Sequence, residues 1–248
     1  MAACGGGSGG GSAPGLLLSG APSLQKRPAA PAASITPPQG FDVSHPQCGR
    51  TLPGSGGFGI VGVTGGKPFT TNPCFARQLQ WARGLRAYAV YLNTSYPRHI
   101  DPVAWGRAIV RDAVAREHAA GTGGVAAWWL DVETLNTWVG NQRENATVLD
   151  AAAATLQHLG ARVGIYSSPA MWSQIVGAWA PPLPSWPAGG PGTAADAMAA
   201  CAGHGFTGGR PALAQWVQRT RHGVLDHDLI CPAMRSHVRD ILILAPIG

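Results

Sequence analysis

From residue 40 onward, short apolar runs alternate with longer amphipathic stretches, the pattern of β-α units wound around a sheet. Eight runs carry strand character: 40–44, 58–63, 87–92, 125–132, 162–167, 183–187, 213–217 and 224–229. Eight is the number that closes a barrel. The sixth is weakened by Pro184 and Pro187. Between the runs, Asn72-Pro73, Asp101-Pro102 and Ser168-Pro169 each set a capping residue before a proline, and Asn141 with Glu144 forms a capping-box pattern. Val148, Leu149, Ala152, Leu156 and Leu159 then fall on one helical face suited to packing on a sheet. Towards the end, helices shorten and strands crowd together. The expectation is one domain over 40–248, an α/β fold of the irregular (β/α)8 TIM-like barrel type whose last third is poorer in helices.

Residues 1–39 are dominated by Gly, Ser, Pro and Ala and read as a disordered leader or linker. Met1-Ala2-Ala3-Cys4 before a Gly/Ser tract resembles the end of a bacterial lipoprotein signal, so Cys4 is a candidate lipid anchor. The remaining cysteines, Cys48, Cys74, Cys201 and Cys231, form no C-x-x-C pair and no His spacing completes a metal site. Two disulfides, Cys48 with Cys74 and Cys201 with Cys231, are expected, against the alternative of four buried thiols; disulfides would place the chain outside the cytoplasm. No run reaches the ~18 apolar residues of a membrane span, so no transmembrane segment is expected.

The net charge of +6 favours polyanionic surroundings. Arg77, Arg83, Arg107, Arg111 and Arg143 are scattered through helical segments without interleaved aromatics, which argues against nucleic acid as a partner. Of twelve acidic residues, Asp101, Asp112, Glu117, Glu144, Asp150, Asp196 and Asp240 fall at caps or on helices, where solvation and helix dipoles explain them. Asp42, Asp131, Glu133, Asp226 and Asp228 instead fall in or at the ends of apparent strands, which converge on one mouth in a parallel barrel. Period-two alternation points Asp131 and Glu133 to the same side. Carboxylates crowded beside Trp128 or Trp129 cannot all ionise easily, and one held protonated can serve as a general acid.

Other motifs lead nowhere. Gly54-Ser55-Gly56-Gly57-Phe58-Gly59 precedes a strand and opens no helix, so it makes no dinucleotide site. Gly62-Val63-Thr64-Gly65-Gly66-Lys67 has the wrong spacing for a phosphate loop, with Pro68 where Ser or Thr is required. Nothing implies a cofactor or a metal.

Gly40-Phe41-Asp42-Val43-Ser44-His45-Pro46-Gln47, Trp129-Leu130-Asp131-Val132-Glu133, Gly164-Ile165-Tyr166-Ser167 and Ala214-Gln215-Trp216, in this order, resemble glycoside hydrolase family 25, the muramidases, over residues 40–231. The resemblance implies retaining cleavage of the β-1,4 bond between N-acetylmuramic acid and N-acetylglucosamine in peptidoglycan glycan strands. It implies Glu133 as general acid/base, Asp131 orienting the substrate's own attacking acetamido group, and Asp42 supporting the pair. The family's last-strand acid aligns best with Asp228, with Asp226 its close rival, and Tyr166 and Trp216 match sugar-binding positions. Where the family carries an acid after the second strand, this chain has Val63-Thr64-Gly65-Gly66, and its third strand departs so as to put Asn93 in the site. The chain is thus expected to be a monomeric, extracellular or wall-associated lysozyme. The competing expectations are a catalytically silent wall-binding domain, favoured by the missing acid at Gly65, and an exported interaction platform.

Overall fold

The computed structural model describes residues 35, 36, 38–97, 99–121, 123–220 and 223–245. Cys4 and most of the expected leader lie outside them. The packed part begins ahead of residue 40: Ile35 is buried inside the barrel and the Pro38 carbonyl accepts a hydrogen bond from Ile230.

Six strands run parallel, β1 (Gln39–Val43), β2 (Phe58–Gly62), β3 (Ala87–Asn93), β4 (Ala127–Asp131), β5 (Arg162–Ser167) and β6 (Ser185–Pro187). Helices α1 (Phe75–Arg83), α2 (Pro102–Ala119), α3 (Gln142–His158) and α4 (Pro169–Val176) connect β2 through β6, and α5 (Ala194–Ala202) follows. Then β7 (Leu213–Thr220) and β8 (Gly223–Ile230) form a hairpin, with β8 antiparallel to β1. Short β9 (Ile243–Leu244) adds to β3. The sheet order β6-β5-β4-β3-β2-β1-β8-β7 nearly closes on itself, because Ser185 of β6 exchanges backbone hydrogen bonds with Arg210 and Ala212 ahead of β7. The expected eight-strand barrel is present, irregular in its last third. One part of the expectation is corrected: the last strand is not parallel. Only two residues separate β7 from β8, whereas a parallel return needs a crossover of about a dozen.

Alternation along the strands sorts side chains between two cores. On β4, Trp128 and Leu130 face outward, with Val132 just beyond the strand, into a layer shared with Ile109, Val110, Val148 and Leu156 of α2 and α3. Ala127 and Trp129 face inward, with Phe58, Ile60, Ala87, Ala89 and Trp186. Small residues admit the large ones. A Cβ on Gly164 would lie 2.2 Å from the Trp129 ring, so glycine on β5 makes room for that indole.

The helix starts follow their sequence signals with one shift. Asp101 caps Ala104 N–H at 2.7 Å, Ser168 caps Met171 N–H at 3.1 Å, and Asn141 with Glu144 closes a capping box. Asn72 opens a turn ahead of α1, its Oδ1 accepting the Cys74 N–H at 3.0 Å while its Nδ2 donates to the Gly62 carbonyl and Gln78, and α1 itself begins at Phe75. Two other residues depart from expectation. Leu159 lies past the end of α3 and is 58% exposed. Glu117 is buried on α2, against His118. Disulfides join Cys48 to Cys74 and Cys201 to Cys231, fastening the loop after β1 to the start of α1 and α5 to the end of β8. No helix among the described residues is long and apolar enough to cross a membrane.

Candidate active site

The parallel strands end at one mouth, where Asp42 closes on β1 and Asp131 on β4, with Glu133 just beyond. The last-strand acids arrive by another route. Because β8 runs antiparallel to β1, Asp226 pairs with Asp42 and Asp228 with Gly40, so β8 brings its earlier residue nearer the mouth. A cavity of about 310 Å³ occupies this end, lined by Asp42, Asp131, Glu133 and Asp226. Tyr91, Tyr166, Trp186 and Gln215 complete most of its wall. Of the strand acids singled out in the sequence, four line the cavity and Asp228 lies fully buried behind them.

Fixed hydrogen bonds hold these acids. Thr64 Oγ1 donates to Asn93 Oδ1 at 2.6 Å, which orients the Asn93 amide so that its Nδ2 donates to Asp131 Oδ2. Asp131 Oδ1 is buried and receives no such donor. The Glu133 backbone is anchored by Trp138 Nε1, which donates to its carbonyl at 2.9 Å. Across the cavity the Tyr166 hydroxyl donates to Gln215 Oε1 at 3.0 Å, and Gln215 Nε2 donates to Asp42 Oδ2 at 2.8 Å. Trp186 Nε1 donates to Asp228 Oδ1 at 2.8 Å, while its ring meets Tyr166 and Trp129 edge-on.

Burial dominates the electrostatics. It pushes the Asp42 carboxyl up to about 8, helped by the charge of Asp226 and opposed by hydrogen bonds from Gln215 and Asp228. Asp131 is raised well above the usual carboxylate range, first by burial and then by Glu133 and Asp42, with the Asn93 hydrogen bond opposing. Glu133 is raised by burial and then by Asp226. Asp226 is raised by burial, and Asp228 by burial and its acidic neighbours.

The sequence expectations divide on this geometry. Asp131 and Glu133 do share one side, and Tyr166 does reach the cavity. Trp216 does not. It lies outside the barrel, 5% exposed among Ala197, Ala214, Leu229 and Cys231, with His227 stacked at 4.9 Å. Alternation on β7 turns Gln215 and Val217 inward and Trp216 outward. Trp128 also points outward, so the tryptophan beneath the acids is Trp129. Asn93 supports Asp131 from behind instead of lining the cavity, and Asp226, not Asp228, forms its wall. Sequence reasoning missed Tyr91, Trp186 and Gln215 as lining residues. A glutamine at an inward position of an apolar strand was the available signal for Gln215. For Trp186 the short proline-flanked strand gave little periodicity to read.

Residues 75–197 match the family model described as Lysozyme-like protein 1. The Dictyostelium discoideum protein named "Probable GH family 25 lysozyme 4" is 35% identical over 51 residues, 21% of this chain and 24% of that protein. The match spans at most 24% of the length of the curated relatives. In fold, the chain is similar to GHIP, a glycosyl hydrolase 25 of Streptococcus pneumoniae, with a TM-score of 0.52 at 16% identity over 83% of this chain and 92% of that one. It is similar also to the catalytic domain of endolysin ply40 from bacteriophage P40 of Listeria monocytogenes, with a TM-score of 0.53 at 14% identity over 84% of this chain and 98% of that one. Matching sequence over part of the chain and a shared barrel agree: the chain is similar to the lysozyme-like, glycoside hydrolase family 25 proteins, as a divergent relative.

Proposed function

We propose that the protein is a peptidoglycan hydrolase that cleaves β-1,4 glycosidic bonds with retention, using Glu133 as general acid/base and the substrate's own acetamido group as nucleophile. The observation that carries this reading is the asymmetric environment of Asp131. Its Oδ2 is held by Asn93, while Oδ1 is buried without a fixed donor beside the cavity. A substrate acetamide N–H donates to Oδ1 and favours the charged form of Asp131, whose charge in turn keeps the neighbouring Glu133 protonated. Glu133 protonates the leaving glycosidic oxygen as the acetamido oxygen attacks the anomeric carbon and the carbon–oxygen bond breaks. Charged Asp131 stabilises the positive ring so formed. Water then enters, loses its proton to Glu133 and opens the ring at the anomeric carbon. Two inversions give retention, and Glu133 ends protonated. Asp226, when ionised, adds negative potential opposite, where positive charge develops. The disulfides and the basic net charge suit work outside the cytoplasm on an acidic wall.

The test is the release of new reducing ends from purified peptidoglycan. Glu133→Gln removes the transferable proton and is expected to lower kcat by about 10²–10⁴. Turnover that survives this substitution rejects Glu133 as the acid. Binding without turnover by the native chain identifies a silent glycan-binding domain instead.

A further inference from the structure

A second cavity, of about 160 Å³, lies beside the loop that follows Glu133 and against the start of α3 and the end of α4. Thr134, next in the chain after Glu133, lines it, and so does Trp138, whose Nε1 holds the Glu133 carbonyl. The same loop that presents Glu133 to the central cavity therefore forms the wall of this one.

Two residues of its lining each carry a buried polar atom without a partner. Asn145 is 3% exposed, and its Nδ2 donates to the carbonyls of Ile175 at 2.9 Å and Gly140 at 3.3 Å. Those carbonyls need a donor, which fixes the amide orientation and leaves Oδ1 as a buried acceptor without a partner. Asn136 supplies the complement, a buried Nδ2 donor without a partner. Leaving such groups unmatched is costly, and the space far exceeds the ~10–15 Å³ that one water needs. No charged side chain lines the cavity, so it suits a neutral ligand. A secondary amide presents one acceptor for Asn136 and one donor for Asn145, while the half-buried Trp138 ring offers an apolar wall to a methyl group.

We infer that this cavity is an accessory subsite for the N-acetyl group of an amino sugar on the glycan strand, away from the sugar being cleaved. The assignment of the amide to a sugar rests on the glycan-hydrolase reading. A cavity of this size, bounded by one loop and two helix ends, takes a pendant group more readily than a running peptide chain.

The experiment is a calorimetric titration of the full chain, in the Glu133→Gln background, with a β-1,4-linked N-acetylglucosamine tetramer and with the β-1,4-linked glucose tetramer as control. Asn136→Leu removes the donor at similar volume, and Gln174→Trp fills the cavity from an exposed position. Each is expected to weaken binding of the N-acetylated tetramer about fivefold, the effect of one hydrogen bond, with the melting temperature and the weak binding of the glucose tetramer unchanged. Unaltered affinity in both variants means that the cavity holds ordered water only, and overturns the inference. Equal, Asn136-dependent binding of a short neutral peptide amide overturns the sugar assignment. The two readings fail separately. Without Glu133 substitution, hydrolysis with an unchanged KM in both variants sinks the subsite alone, whereas Asn136-dependent glycan binding without any hydrolysis sinks the enzymatic reading alone.

Discussion

Asp131 illustrates how little of a side chain's chemistry is set by its identity. One oxygen is tied through Asn93 to Thr64, the other is left bare, and burial side by side raises both Asp131 and Glu133 above the usual carboxylate range. The run Trp129-Leu130-Asp131-Val132-Glu133 exposed this pair at once, because a carboxylate after an apolar strand has few uses other than a site. The two tryptophans show the opposite case. Trp216 sits in a motif-like context yet packs outside the barrel, while Trp186, on a strand too short to show alternation, lies between Tyr166 and buried Asp228. Trp186→Phe keeps the ring but removes the donor to Asp228, and kcat/KM is expected to fall about tenfold. Trp216→Phe is expected to leave KM for peptidoglycan fragments unchanged. Steady-state kinetics on both variants checks the assignment, and the reverse ranking would return Trp216 to the mouth.

At the scale of elements, the barrel interior depends on pairing large residues with absent ones. Gly164 on β5 lies under the Trp129 ring, and Trp129 in turn packs against Trp186. Gly164→Ala introduces a Cβ 2.2 Å from a buried indole that packs against Trp186, and is expected to cost about 1–3 kcal/mol, read as a lower midpoint in urea unfolding with an unchanged slope. An unchanged midpoint would show that the indole can move aside. Most elements were legible. The capping box at Asn141 and Glu144 starts α3 as its spacing indicates, and strand alternation sends Trp128 out and Trp129 in. The direction of β8 was not read, although the short spacing between the last two apolar runs already excluded a helical crossover. Asn72 misled by position: its Oδ1 holds the turn at Cys74 while its Nδ2 satisfies the end of β2, so the helix proper starts three residues on, at Phe75.

Across the whole molecule, charge is segregated. The chain carries +6 overall, yet five of its acids are gathered in and beneath one barrel mouth. The carboxyls there have raised pKa values, above all because they are buried. The native state therefore binds more protons than the unfolded chain between the ordinary carboxylate range and the raised values, a window that for Asp42 runs from 3.8 to about 8. Stability from these groups is fully present below that window and is lost as pH rises through it. The melting temperature is expected to be higher at about pH 5 than at about pH 8, each kcal/mol amounting to about 2–4 °C for a domain of this size. Asp42→Asn is expected to flatten the slope. Calorimetry across this range decides the matter, and a melting temperature that rises with pH would contradict the burial of the acids.

The sequence by itself determined the periodic pattern of strands and helices and the set of acids that helix faces could not explain. These are local properties, carried by side-chain alternation, capping chemistry and composition. Only the tertiary structure decided which acids face the cavity and which lie behind it, that Asn93 supports Asp131 from below, and that Gln215 takes the place expected for Trp216. Those outcomes depend on strand direction and register, since a reversal or a one-residue slip exchanges inside for outside. Both are fixed by closing the barrel as a whole and not by any one segment.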